Sequence, residues 1–285
     1  MTISDEPDSQ TLPTSTSKGK SDLPARLISA TVLIPFLAIV VWLGGITAAA
    51  VATLAALIGL NEILLLVRRA GWRPVREEGI ILGAAITAAA AFDGQVVLLA
   101  SAGIAGCLLI ASAIHRRSTE FLGDFFFTIA PVFYVALPLA TIVLLRDTPV
   151  TGLEWLILAF AATFALDTGA YAIGRLFGKH KMAPSISPGK TWEGAVGGLL
   201  AAIGATIGLV ALFGDIPTAY WQAALLGAAI GIVGQMGDLV ESKLKRMAKV
   251  KDSGTLIPGH GGILDRLDSL VLIFPLVYYA SKIWP

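Results

Sequence analysis

Long apolar segments separated by short charged loops constrain the fold of this chain more than any other feature. Only 14% of its 285 residues are charged and 55% are hydrophobic, whereas a soluble domain carries about 25% charged residues. A helix of about 20 apolar residues is long enough to cross a bilayer. The sequence therefore predicts an all-α, polytopic integral membrane protein.

Nine segments are predicted as membrane-spanning helices. They cover residues 27–45, 47–67, 79–93, 95–114, 121–145, 151–174, 194–214, 220–241 and 263–283. The third and fourth segments are short and Ala-rich, and only Asp93-Gly94 separates them. A tight hairpin and a re-entrant pair therefore both remain open for these two segments.

Basic residues are distributed very unevenly between the two sides of this nine-span arrangement. The side that holds the N-terminal segment carries 19 of the 21 Lys and Arg residues, and the other side carries only Arg146 and Lys282. Cytoplasmic loops of membrane proteins are enriched in Lys and Arg. We therefore expect a cytoplasmic N-terminus and a chemical site that faces the cytoplasm.

The N-terminal segment bears on the domain organisation, and the single cysteine bears on the kinds of site that the chain can form. Residues 1–24 are polar and rich in Ser, Thr, Pro and Asp, so they are predicted to be a disordered tail ahead of a transmembrane catalytic domain over 25–285. Cys107 alone excludes an intrachain disulfide and a Cys-rich metal site. The net charge of +1 does not indicate nucleic acid as a partner.

The densest charge of the chain lies between its last two apolar segments, from Ser242 to Asp268. Five Lys or Arg residues precede a Gly/Pro-rich turn that contains His260, and two carboxylates follow. Charge so close to a membrane span is costly unless it has a function. A polyanionic substrate and a metal ion explain this region best; His260 is expected to contact a phosphate or to stabilise the loop.

Two pairs of carboxylates border this region, Asp238 with Glu241 and Asp265 with Asp268. Residues three apart share a helix face, and hard oxygen ligands suit Mg²⁺, which takes one or two carboxylates plus substrate phosphates. The alternative is a salt-bridge network with the neighbouring basic residues, which applies best to Glu241 and Asp268.

A second polar block follows the sixth predicted span. Asp167 lies deep in an apolar segment, which makes it a functional candidate. The run S-P-G-K-T-W-E-G provides Ser187, Lys190 and Thr191 for phosphate contact, but it lacks the full phosphate-loop pattern and is not interpreted as one. Together the two blocks place the chemistry in residues 163–270. Glu62, which also lies in an apolar segment, is only a candidate for lining a headgroup cavity.

These motifs resemble those of the phosphatidate cytidylyltransferases, also called CDP-diacylglycerol synthases. Every element of the family signature is present: Ser242, Lys245-Arg246, Lys251-Asp252, Gly254, Pro258, His260-Gly261-Gly262, Asp265-Arg266 and Asp268. The blocks from Asp167 to Gly178 and from Ser187 to Gly194 resemble this family as well. The resemblance covers residues 25–285 and includes the nine-span arrangement.

The resemblance implies a Mg²⁺-dependent reaction of CTP with phosphatidate in the membrane, typical of a bacterial inner membrane, with K⁺ as a second cation. It implies that Asp238 and Asp265 hold the metal and are catalytic together with Lys245 and Arg246. Substrate binding is expected from Asp167, Ser187, Lys190, Thr191, Ser242, Lys251, Asp252, His260 and Arg266. A homodimer is compatible with these features.

Two other functions share parts of this pattern. A CTP-dependent polyprenol kinase would use the same nucleotide and membrane, but it would release CDP in place of pyrophosphate. An anion transporter would use Asp167, Asp238 and Asp265 as ion-coupling sites. Transporters commonly contain inverted repeats, and none is evident in this sequence.

Overall fold

The computed structural model describes residues 31, 35–92, 94–115, 121–254, 256 and 261–284. The predicted tail over 1–24 and His260 therefore lie outside the described residues. Residues 35–43 also form a helix, which is not numbered. The labelled helices are α1 (Gly45–Arg69), α2 (Arg76–Ala89), α3 (Gly94–His115), α4 (Phe121–Arg146), α5 (Gly152–Phe177), α6 (Trp192–Phe213), α7 (Tyr220–Met247), α8 (Leu264–Leu267) and α9 (Leu270–Ile283).

The prediction of an all-α membrane protein is confirmed. In the described part of the chain, five helices are long and apolar enough to cross a membrane, namely α1, α4, α5, α6 and α7. Shorter apolar helices occur at Leu99–Leu108 and Leu270–Ile283. The predicted count of nine spans stays a prediction. The ninth predicted span, 263–283, contains two helices, α8 and α9, with Asp268 and Ser269 between them.

A small antiparallel hairpin interrupts the helices between α5 and α6, and the sequence did not predict it. Strand β1 (Lys181–Ala183) pairs with β2 (Ser187–Thr191). The Trp192 N–H then donates to the His180 carbonyl at 3.0 Å, which closes the base of the hairpin. Thr191 caps the start of α6, because its Oγ1 accepts a hydrogen bond of 3.1 Å from the Gly194 N–H. The polar run S-P-G-K-T is thereby fixed at the end of a membrane helix.

Helices α5 and α6 approach each other closely through small residues. A β-carbon added at Gly198 would lie 2.7 Å from the Leu166 carbonyl oxygen, and one added at Gly169 would lie 2.9 Å from the Gly197 carbonyl oxygen. Small residues permit such backbone contact between membrane helices. This contact holds the segment around Asp167 against the start of α6.

Replacing Gly198 with Ala is expected to destabilise the protein, because the new methyl group would press against the backbone of α5. Overpacking of this kind costs about 1–3 kcal/mol. The measurement is the melting temperature in detergent, with Gly204→Ala as the control, since a β-carbon at Gly204 would meet nothing within 4 Å. Equal melting temperatures for the two variants would contradict this contact.

Two hydrophobic cores flank the chemical region. One core is built mainly by α1, α2 and α4 and includes Leu264, and the other is built mainly by α5, α7 and α9 and includes Leu270. The short helix α8 and the turn after it therefore lie where the two cores meet. This position fixes Asp265 and Asp268 relative to both halves of the chain.

Candidate active site

A cavity of about 410 Å³, which we call the polar cavity because charged and hydroxyl side chains contribute to its lining, is bordered by α5, the hairpin, α6, α7 and the turn before α9. Five residues that the sequence assigned to the site line it together: Asp167, Ser187, Lys190, Thr191 and Asp238. Gln235 and Ser269, which the sequence did not single out, line it as well. The two polar blocks of the sequence thus meet at one cavity.

The ammonium of Lys190 has an ion-pair partner but not a full set of hydrogen-bond acceptors among the described residues. Its Nζ lies 2.6 Å from Asp238 Oδ2, but it is buried and meets no partner in hydrogen-bond geometry in the described part of the chain. Asp238 Oδ1 accepts a hydrogen bond of 3.2 Å from the Ser242 hydroxyl. An ammonium has three N–H donors, and the Asp238 carboxylate balances its charge without satisfying all of them. An anionic group bound in the cavity would provide the missing acceptors.

Asp265 is held by donors on both of its oxygens. Oδ1 accepts from Lys245 Nζ at 2.8 Å. Oδ2 accepts from the Gly262 N–H at 2.9 Å and from the Ser253 N–H at 2.8 Å, and it lies 2.9 Å from the Ser253 hydroxyl. Hydrogen bonds from the Lys245 ammonium and from the Gly262 and Ser253 N–H groups stabilise the ionised carboxylate of Asp265. Asp265 is therefore an anion that organises the loop before α8.

Lys245 joins the two carboxylates that the sequence placed on different helices. Its Nζ lies 2.9 Å from Glu241 Oε1 as well as 2.8 Å from Asp265 Oδ1. Glu241 is only 1% exposed, and its Oε2 has no hydrogen-bond partner among the described residues. The salt-bridge alternative thus describes the contacts of Glu241 and Lys245 correctly.

Asp268 lies close to Asp238. A β-carbon added at Gly237, the residue before Asp238 in α7, would lie 2.6 Å from the Asp268 carbonyl oxygen. The Ser269 N–H donates to Asp268 Oδ1 at 2.7 Å. Asp268 therefore lies beside the segment of α7 that carries Asp238.

A second cavity of about 460 Å³ adjoins the polar one and is mostly apolar. Side chains such as Val41, Phe160 and Phe164 line it, and Asp268 is one of its few polar lining residues. Asp167 and Ser269 line both cavities. A molecule with apolar chains and an anionic head would place its chains in this cavity and its head beyond the shared wall, where Lys190 lines the polar cavity.

Four other residues predicted for the site do not line the polar cavity. Arg246 Nε and Nη1 donate to the Ile186 and Val250 carbonyls, each at 3.2 Å, so Arg246 joins the hairpin turn to the end of α7. Arg266 is exposed and lines the apolar cavity. Lys251 and Asp252 are exposed and line neither cavity.

The carboxylates fit a metal ion in chemistry but do not form a ready-made cage. Among the described residues, no three His, Cys, Asp or Glu side chains are grouped so that they alone would hold a metal. Asp238 and Asp265 each hold a lysine ammonium, from Lys190 and Lys245. Each carboxylate therefore stabilises a cation already, and hard carboxylate oxygens suit Mg²⁺ when substrate phosphates complete its shell.

Comparison with known proteins identifies several relatives. A model of the cytidylyltransferase family matches residues 24–284. A phosphatidate cytidylyltransferase of Mycobacterium tuberculosis is 34% identical over 280 residues, which cover 90% of this chain and 82% of the relative. One from Staphylococcus saprophyticus is 38% identical over 170 residues, and one from Bacillus subtilis is 41% identical over 173 residues.

The extent of these matches differs between relatives. The staphylococcal match covers 60% of this chain and 64% of the relative, and the Bacillus match covers 60% and 63%. This chain therefore matches less than two thirds of the length of these two relatives, whereas the mycobacterial match extends over most of both chains.

Proposed function

Because the chain belongs to the cytidylyltransferase family, we propose that it transfers the cytidylyl group of CTP to phosphatidate, giving CDP-diacylglycerol and pyrophosphate. One observation carries this proposal beyond family membership. The polar cavity, which the Lys190 ammonium lines beside Asp238, and the apolar cavity share a wall at Asp167 and Ser269. This arrangement suits one water-soluble anionic substrate and one lipid anion that meet at the wall.

Each cavity is assigned one part of the substrates. The polar cavity receives phosphate groups, which Ser187, Lys190 and Thr191 contact. The apolar cavity receives acyl chains, since phenylalanine and aliphatic side chains line it. The exposed basic residues of the signature, Lys251 and Arg266, are placed to attract the triphosphate from the water phase.

The reaction needs little proton transfer. An oxygen of the lipid phosphate attacks the α-phosphorus of CTP, a new P–O bond forms, and the bond to the pyrophosphate oxygen breaks. The attacking oxygen is already negative near neutral pH, so no strong general base is required. Catalysis then depends on orienting the two phosphates and on neutralising their charge with fixed cations such as Lys190.

Mg²⁺ is part of this proposal, with Asp238 and Asp265 as its protein ligands and K⁺ as a second cation. The metal would supply positive charge to the phosphate oxygens. In the structure, Lys190 forms an ion pair with Asp238, and Lys245 forms one with Asp265. These two lysines therefore keep the two carboxylates oriented until the metal and substrate arrive.

The direct test is product analysis with detergent-purified protein, CTP, phosphatidate and Mg²⁺, with and without K⁺. We expect pyrophosphate and CDP-diacylglycerol to appear in equal amounts. The Asp265→Asn variant, purified identically, controls for contaminating host enzyme. Release of CDP would support the lipid kinase in place of this function, and folded protein without turnover would support the transporter.

We also propose that the N-terminus is cytoplasmic, in a multi-pass protein of the bacterial inner membrane. The uneven distribution of Lys and Arg supports this orientation. A protease-sensitive tag placed before residue 24 should be cleaved in inside-out vesicles and protected in right-side-out vesicles. The reverse pattern would contradict the proposed orientation.

A further inference from the structure

Glu62 is a buried acid of α1 that contacts the signature loop from the other half of the chain. Glu62 is only 7% exposed. Its Oε1 accepts from the Ile263 N–H at 3.1 Å, and its Oε2 accepts from the Leu264 N–H at 2.9 Å. The Ser253 hydroxyl lies 2.9 Å from Oε2. Both carboxylate oxygens are therefore occupied by protein donors.

Two glycines of the signature make room for this carboxylate. A β-carbon at Gly254 would lie 2.6 Å from Glu62 Oε1, and one at Gly262 would lie 2.3 Å from Glu62 Oε2. In the structure the neighbouring space holds the Glu62 carboxylate, so these two positions require glycine for an internal contact.

Glu62 and Asp265 hold the same loop together. The Ser253 hydroxyl lies 2.9 Å from an oxygen of each acid. Gly262 and Leu264, two residues apart, donate their N–H groups to Asp265 and Glu62 respectively. The start of α8 is thus fixed by an acid of α1 on one side and by Asp265 on the other.

We propose that Glu62 is a positioning residue for the transfer reaction, which acts by holding Ser253, Ile263 and Leu264 so that Asp265 faces Lys245 and the site. This inference rests on the proposed function. Glu62 lines neither the polar nor the apolar cavity, so it acts without contacting substrate. Its former interpretation as a headgroup-lining residue is replaced by this role.

The first experiment measures hydrogen exchange of the Glu62→Gln protein without metal or nucleotide. Glutamine keeps the length of the side chain but offers one oxygen in place of two, so at least one of the three donors loses its acceptor. We expect peptides that contain Ile263 and Leu264 to exchange faster, while peptides of α6 keep their rates. Unchanged exchange at Ile263 and Leu264 would overturn the proposal.

The second experiment separates positioning from general stability by enzyme kinetics. Residues that orient a metal ligand change metal affinity or activity by about 10- to 100-fold when replaced. We therefore expect Glu62→Gln to lower kcat and to raise the Mg²⁺ concentration for half-maximal rate. Glu77→Gln, an exposed acid of α2, is the matched control. A lower rate with an unchanged Mg²⁺ requirement would show a merely structural role and overturn the proposal.

A third experiment tests the packing by a double-mutant cycle. All three atoms nearest to a β-carbon at Gly254 belong to Glu62. Gly254→Ala should therefore lower the melting temperature of the wild-type protein but have little effect in the Glu62→Ala background. Additive effects would contradict the contact. If Glu62→Ala does not fold, the exchange measurement on Glu62→Gln still decides.

These outcomes are distinguishable from a failure of the proposed function. If the wild-type protein makes no CDP-lipid, the transfer reaction is wrong. The exchange and melting measurements use neither CTP nor lipid, so they report on the Glu62 contact in either case.

Discussion

Replacing Asp265 with Asn is expected to lower turnover by about 10³-fold, since removal of one preorganised electrostatic group costs about 10²–10³-fold. The amide has one oxygen, and the donors from Ser253 and Gly262 would compete for it. The NH₂ group would then face the Lys245 ammonium, which would lose its contact at 2.8 Å. Both the proposed metal ligand and the orientation of Lys245 would be lost together.

The measurement is kcat with saturating CTP and phosphatidate, accompanied by a melting curve. Asp215→Asn, an exposed acid between α6 and α7, provides the control for the loss of one carboxylate. A double variant with Lys245→Met should lose little more than Asp265→Asn alone, because the two side chains act as a unit. Turnover close to wild type in the folded Asp265→Asn protein would exclude the proposed role of Asp265.

Replacing Lys190 with Met is expected to lower kcat/KM by about 10²-fold, within the range for removal of one preorganised charge. The ammonium is buried at the polar cavity, 2.6 Å from Asp238, and lacks other acceptors in the described part of the chain. Its loss would remove a phosphate partner and leave Asp238 without its cation. Methionine keeps the apolar stem of the side chain, so the packing should survive.

The measurement pairs steady-state kinetics with direct CTP binding by the same protein. Lys179→Met is the matched control, since Lys179 is exposed and lies just before the hairpin. We expect this control to retain its kinetics. An equal loss in both variants would indicate a general charge effect, and full activity of Lys190→Met would remove Lys190 from the site.

How much could be predicted from the sequence differs between elements. The long apolar helices α5, α6 and α7 correspond to predicted segments, because apolar length alone determines a membrane helix. The hairpin around Ser187 was missed, because its strands have only three and five residues and no alternating apolar pattern. The division of 263–283 into α8 and α9 was also missed, since its apolar content continues across Asp268 and Ser269.

The sequence predicted individual residues of the site but not the contacts between residues of different elements. Spacing along one helix shows which residues share a face, so Asp238 and Ser242 were both identified. It does not show that Lys190 meets Asp238, because the hairpin that presents Lys190 had no signal. The contact of Glu62 with Ser253 joins positions 191 residues apart, and local pattern carries no information over that distance. An acid within an apolar segment was the only available signal for Glu62.

The dependence of the signature loop on α1 has a consequence for biosynthesis. A ribosome produces the chain from its N-terminus, so Glu62 is in the membrane well before Ser253, Ile263 and Leu264 are translated. Nascent chains that end before α8 would contain the polar cavity's hairpin and most of its helices but not Asp265. Catalytic competence would therefore arise only after α8 has been translated, and chains that end before it would bind nucleotide without turning it over.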